Sequence, residues 1–226
     1  MSISDNFKAI RERVDRAADG RAVTLVAVAK TKPTAAVREA IAAGAVVIGE
    51  NHVQEIRQKG AEGAYEGAAV HLIGHLQKNK VKYVAGQVAL IQSVDSVELL
   101  RLIDKAASAR GAVQDVLLEI NIAREMSKTG ALPEELETLL EEASKAQAVR
   151  VRGLMAIPPK GDSGTYFYNM KKLFVDNAGK KYDNVSMDIL SMGMSDDFEQ
   201  AIREGSNMVR VGSAIFGARD YGAAHP

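Results

Sequence analysis

The sequence predicts an α/β fold, a single (β/α)₈ TIM-type barrel with an extra N-terminal helix. Three observations carry that expectation. Apolar strand-like runs alternate with helical patterns along almost the whole chain, which argues for a parallel sheet. The 226 residues hold eight such units, the number that closes a barrel, whereas an open doubly wound sheet is the competing arrangement. No linker or shift of composition divides the chain, so residues 1–226 are expected to form one domain.

The elements follow in order. Ile3, Phe7, Ile10, Val14 and Ala17 recur at spacings of three and four, an amphipathic helix ending near Gly20. Val23–Ala29 is apolar on both faces, as a strand buried in a parallel sheet should be. Pro33 opens a helix to Ala43, and Gly44 stops it. Further strands are expected at Val46–Glu50, Val70–Gly74, Ala89–Ser93, Asp115–Asn121, Arg150–Met155, Ser186–Leu190 and Met208–Val211. Helical patterns separate them. The clearest runs from Asp95 to Ala107, with Asp95 and Glu98 in capping-box register. Another starts at Pro133 and buries Leu136, Leu139, Leu140 and Ala143. Pro159–Asp183 is rich in Gly, Lys and Asp, and allows one short helix around Phe167, Met170 and Phe174, with Gly179 as its stop.

Composition removes several classes of function. Lys+Arg and Asp+Glu are both 29, so no global field draws in nucleic acid or an anionic membrane. There is no cysteine, which excludes disulfides, thiolate catalysis and Cys-ligated metal sites. The N-terminal stretch lacks the apolar core of a signal peptide, and nowhere do eighteen apolar residues run together. A cytoplasmic protein that binds neither membrane nor nucleic acid is expected. His71 and His75 lack an evident third ligand, so no metal is expected.

In barrels of this kind the chemistry sits at the C-terminal ends of the strands. Here those ends carry Lys30, Glu50 and Asn51, Gly74 and His75, Ser93, Asn121, Ser191 and Arg210. Lys30 follows Val26 and Val28 with period two, so its side chain should share their face and enter the barrel mouth. Burial there would lower its pKa and leave an amine suited to Schiff-base formation. Two alternatives stay open: Lys30 turns to solvent or pairs with Glu50, and Lys32 competes as an anion contact. A second group is Met208–Gly217, where a strand runs into Gly212, Ser213 and a helix start. Gly212 lets an anion approach the backbone, and Ser213 offers a hydroxyl. The loop after the seventh strand, from Ser191 to Asp197, is its neighbour. Ser195 reads there as a helix N-cap with an acidic first turn.

Six segments in order then resemble one family: Val26–Pro33, Gly49–Asn51, His71–Lys80, Arg152–Pro158, Leu190–Asp196 and Val209–Gly217. They resemble the pyridoxal phosphate homeostasis proteins, whose fold is that of the alanine racemase N-terminal barrel. The resemblance implies pyridoxal 5′-phosphate (PLP) held as a Schiff base on Lys30, with Asn51 beside the cofactor and Arg210 facing the pyridine nitrogen. It implies a phosphate cup of Gly212 and Ser213 together with Ser191. Pro159–Asp183 matches the family poorly, so no site residue is carried from there. Ala29 stands where Ser or Thr is common, and should point away from the cofactor.

The resemblance further implies a binding protein that keeps PLP and amino-acid levels balanced without robust turnover, so no catalytic residue is assigned. An arginine against the pyridine nitrogen weakens PLP as an electron sink. A racemase of this fold also needs a tyrosine from a second, β-rich domain, for which the chain leaves no room. The competing readings are a PLP-dependent amino-acid racemase or lyase using Lys30 as base, and a barrel enzyme acting on a phosphorylated substrate. The expected partners are PLP and PLP-dependent apo-enzymes that receive it, and the expected state is a monomer.

Overall fold

In the computed structural model, which describes residues 2–159, 163–180 and 182–217, eight parallel strands close into a barrel in sequence order. They are β1 (Thr24–Val28), β2 (Val47–Glu50), β3 (Ala69–Leu72), β4 (Leu90–Val94), β5 (Gln114–Glu119), β6 (Val149–Met155), β7 (Val185–Ser191) and β8 (Met208–Val211). The barrel shuts where Val26 pairs with Arg210 and Ala27 with Val211. Every expected strand is present, with ends displaced by no more than two residues and β8 matching at both, within the usual spread at element boundaries.

Alternation sorts the side chains into two layers. Val26, Val28, Val47, Ile73, Leu90, Leu117, Met155 and Met208 fill the barrel interior. Leu25, Ala27, Ala29, Val209 and Val211 face outward, against the helices. The N-terminal end is tied by ion pairs: Asp115 accepts from Arg150 at 2.7 Å and Arg152 at 2.9 Å, and Arg152 also reaches Asp188 at 3.0 Å. Polar residues at that end hold the barrel, and the opposite end is left for a site.

The helices are α1 (Ile3–Ala18), α2 (Thr34–Ala42), α3 (Val53–Ala61), α4 (Val97–Ser108), α5 (Leu136–Ala143), α6 (Ser163–Ala178), α7 (Phe198–Arg203) and α8 (Ser213–Phe216). The extra helix α1 is fixed by a capping box of Ser2 and Asp5. It buries Phe7, Ile10 and Val14, and its Asn6 amide donates to Ile215 O at 3.0 Å. Helix α4 buries Leu99, Leu100, Ile103 and Ala107; each large side chain so covered contributes about 1.5–3 kcal/mol of transfer free energy.

Three expectations are corrected. Ser96 rather than Asp95 caps α4, accepting from Leu99 N–H at 3.4 Å. The β3–β4 connection is a 3₁₀ turn, Lys78–Tyr83, rather than an α-helix; six residues with Asn, Val and Tyr among them give little propensity for more. Helix α6 has 16 residues, longer than the short helix expected, with Phe167, Met170 and Phe174 buried in one stripe. Asn184 donates to Ala143 O at 2.7 Å and Val149 O at 3.1 Å, so it pins the start of β7.

Candidate functional site

Five of the six expected site residues line one cavity of about 270 Å³ at the C-terminal end of the barrel: Lys30, Asn51, Arg210, Gly212 and Ser213. Lys32, Ser195, Asp196, Ile73 and Ile157 are also part of its wall.

Lys30 leaves β1 on the face of Val26 and Val28, as alternation requires, and Val28 forms the cavity wall beneath it. The chain then turns at once. Lys32 N–H donates to Ala29 O at 3.0 Å, and Thr31 has φ +64°. A positive φ at the third position of a turn is the type II arrangement, normally filled by Gly or Asn. Ala29 itself packs outward, away from the cavity. Glu50 lies on the outer face of β2, fully buried, where its Oε1 accepts from Lys59 at 2.8 Å and Tyr65 at 3.0 Å. Burial raises the Glu50 pKa against the pull of Lys59.

Asn51 follows β2 and is pressed against Gly74. A Cβ at Gly74 would lie 2.4 Å from Asn51 O, so only glycine permits that approach. Asn51 also borders a neighbouring cavity of about 300 Å³ with His52, His75 and Lys80.

Arg210 comes from the inward face of β8 and is buried. Its guanidinium donates to Ala156 O at 2.9 Å and to Ser191 Oγ at 2.6 Å. Burial pulls its pKa down to about 10, with Glu119 and Asp197 pulling the other way, so it remains charged at neutral pH. Ser191 donates in turn to Gln92 Oε1 at 2.8 Å, and the other end of that amide lies 3.0 Å from His71 Nδ1. With Gln92 Oε1 already accepting, its nitrogen donates and His71 Nδ1 must accept. Burial lowers the His71 pKa to about 4, which agrees with a neutral ring.

The sixth expected residue is therefore placed differently. Ser191 pairs with Met208 in the sheet, one level below Arg210. Its side chain is buried in the barrel and committed to Gln92 and Arg210. It does not line the cavity, and it supports Arg210 from beneath. From the same loop it is Ser195 that lines the cavity, and its Oγ receives a hydrogen bond from Ser213 Oγ at 3.3 Å. The expected capping role of Ser195 is corrected: Asp197 occupies the cap of α7 and accepts from Met194 N–H at 2.7 Å. Beyond Ser213, Ile215 and Phe216 donate back to Gly212 O at 2.9 Å, so the first N–H groups of that turn are directed outward. His71 sits inside the barrel and His75 is exposed, 3.6 Å from Asp95.

One further buried carboxyl lies on the inward face of β5. Glu119 accepts from Thr129 Oγ at 2.7 Å, and burial raises its pKa. The signal that could have found it is a charged residue near a strand end, two residues beyond inward-facing Leu117, the same period-two spacing that places Lys30.

Residues 2–220 match the model of the alanine racemase N-terminal domain family. A Pseudomonas aeruginosa protein named pyridoxal phosphate homeostasis protein is 41% identical over 231 residues, covering 98% of each chain. The Escherichia coli K12 protein of that name is 40% identical over 228 residues, covering 97% of each. The chain belongs to the pyridoxal phosphate homeostasis protein family. Among solved members, PipY of Synechococcus elongatus PCC7942 with PLP bound has a TM-score of 0.85 at 32% identity, covering 96% of this chain and 100% of that one. Alanine racemase of Clostridium difficile 630 has a TM-score of 0.72 at 17% identity, covering 96% of this chain and 58% of that one. That likeness is one of fold. Among the described residues no helix is long and apolar enough to cross a membrane.

Proposed function

We propose that this family member holds PLP on Lys30 as a Schiff base and serves PLP and amino-acid balance as a carrier rather than as a robust catalyst. The observation that carries this reading is the convergence, on one cavity of about 270 Å³, of the three chemistries PLP requires. Lys30 supplies an amine for the aldehyde. Ser213 and Gly212, at the first turn of α8, supply hydroxyl and backbone contacts for the phosphate. Arg210 supplies a charged donor for the ring, with Asn51 at its side. The shared name of the relatives and the PLP bound to PipY support the same reading.

When bound, PLP supplies an electrophilic carbon and an electron-withdrawing ring. The protein's residues decide how much of that is used. Arg210 is charged at neutral pH, and a guanidinium facing the ring nitrogen opposes its protonation and weakens the electron sink. Ser191 and Gln92 hold Arg210 in place. Binding is thereby favoured over turnover. On this reading the protein is one domain over residues 1–226, a cytoplasmic monomer whose partners are PLP and the apo-enzymes that receive it.

The test is borohydride reduction of the PLP-loaded protein, peptide mapping, and assay with a panel of amino acids. The expected result is one adduct, on Lys30, and no appreciable racemisation or cleavage. An adduct mainly on Lys32 overturns the lysine assignment, and rapid turnover of any amino acid overturns the carrier reading.

A further inference from the structure

The turn that presents Lys30 is gripped on both sides by one pair of residues from α3. Lys59 Nζ donates to Ala29 O at 2.9 Å, just before Lys30, and Glu55 Oε2 accepts from Thr31 N–H at 2.7 Å, just after it. The pair is joined to itself by Lys59 to Glu55 at 2.9 Å, and Lys59 is anchored by Glu50 at 2.8 Å. Lys59 is 6% exposed and Glu50 fully buried. Helix α3 has no need of this arrangement for its own stability, since an exposed i,i+4 pair contributes only a few tenths of a kcal/mol. A buried one carries a desolvation cost that its hydrogen bonds must offset. The gripped turn also holds a β-branched residue at positive φ, a conformation that persists only where its surroundings impose it.

We propose that Glu55 and Lys59 are positioning residues that hold the Ala29–Lys32 turn so that Lys30, and not Lys32, delivers its amine to the cavity. The inference rests on the reading of Lys30 as the PLP-bearing lysine. In the bond-forming step the Lys30 amine adds to the aldehyde carbon and one water leaves, giving the imine. Borohydride then adds hydride to that carbon, and a proton on nitrogen completes a stable secondary amine. Neither Glu55 nor Lys59 is consumed or changed. Their contribution is to fix the two peptide groups that flank Lys30.

Two measurements test this, the first of them without PLP. In the cofactor-free protein the Thr31 amide is expected to exchange with deuterium slowly, and Glu55→Ala is expected to release it while amides in the strands stay protected. In the PLP-loaded protein, Glu55→Ala and Lys59→Met are each expected to lower the Lys30 share of the adduct relative to Lys32 about tenfold, equivalent to about 1.4 kcal/mol. Glu55→Gln keeps an oxygen for the Thr31 amide and is expected to recover most of the selectivity. A general loss of packing would not be rescued in this way. A rapidly exchanging Thr31 amide in the parent overturns the grip, whatever PLP does. Unchanged selectivity in a folded Glu55→Ala protein overturns the positioning role. A parent that forms no adduct on Lys30 overturns the reading beneath both.

Discussion

Arg210 donates to Ser191 Oγ at 2.6 Å, and the same hydroxyl donates onward to Gln92 at 2.8 Å. The directions of these bonds are consistent from end to end: guanidinium to hydroxyl, hydroxyl to amide oxygen, amide nitrogen to His71. A serine buried inside the barrel, beneath the cavity, thus works as the link between a buried cation and a polar chain across the interior.

Ser191→Ala breaks that chain in its middle, leaving a guanidinium N–H and an amide oxygen buried without their partner. Such a loss costs about 1–3 kcal/mol, and urea unfolding of the cofactor-free protein should report it. A Ser191→Ala protein as stable as the parent would mean that the cavity walls, or water, satisfy those groups instead.

His71 makes the fold sensitive to acid. Its folded-state pKa of about 4 lies below the ordinary 6.5, so the unfolded chain takes up the proton first. The His71 contribution is complete above pH 6.5 and is lost progressively as pH falls toward 4, by roughly 3 kcal/mol over the window. His71→Gln keeps an oxygen for the Gln92 amide and should flatten that part of the stability curve. An equal slope in both proteins between pH 6.5 and 4 would assign the acid sensitivity elsewhere.

Glu119 acts in the opposite sense. Burial raises its folded-state pKa, so its contribution is fully present below the ordinary 4.5 and is lost as pH rises through the folded value. Glu119→Gln retains an acceptor for Thr129 and carries no charge. The variant should be more stable than the parent at pH 7–8, with the advantage vanishing near pH 4. A variant less stable at neutral pH would show that the Glu119 charge is needed opposite Arg210.

The barrel, and the gathering of most candidate site residues at one cavity, were legible because both depend on period and position. Lys30 shares the face of Val26 and Val28, Arg210 that of Met208, and Gly212 and Ser213 follow a strand end. Ser191 lies deeper than expected because its depth depends on register. It pairs with Met208 rather than Arg210, and only the closed barrel brings Gln92 within reach. Ser195 was misjudged because Asp197, two residues on, takes the capping position. Glu55 and Lys59 are spaced i,i+4, a pairing that is common on solvated helix faces and marks no site by itself. The placement of α3 beside the Ala29–Lys32 turn is what gives that pair its contacts, and no local pattern encodes it.

The phosphate cup gives the last prediction. Free pyridoxal has the same aldehyde as PLP, so the difference in their affinities isolates what Gly212, Ser213 and Ser195 contribute. Charge-assisted hydrogen bonds at a helix start contribute about 1.5–3 kcal/mol each, less the cost of taking phosphate out of water. A net gain of roughly 3 kcal/mol would favour PLP about a hundredfold. Ser213→Ala removes one hydroxyl and should erode part of the margin, and Ser195→Ala, through the Ser213 contact at 3.3 Å, a smaller part. Gly212→Val should remove most of it. Its Cβ would already meet Val28 O at 3.3 Å and Val28 Cβ at 3.4 Å, and the two further methyls would have to occupy the cavity or displace β1. Titration of each protein with PLP and with pyridoxal measures these margins directly. Equal affinities in the parent would mean that the turn at Gly212 is an ordinary strand-to-helix connection, leaving Lys30 alone to hold the cofactor.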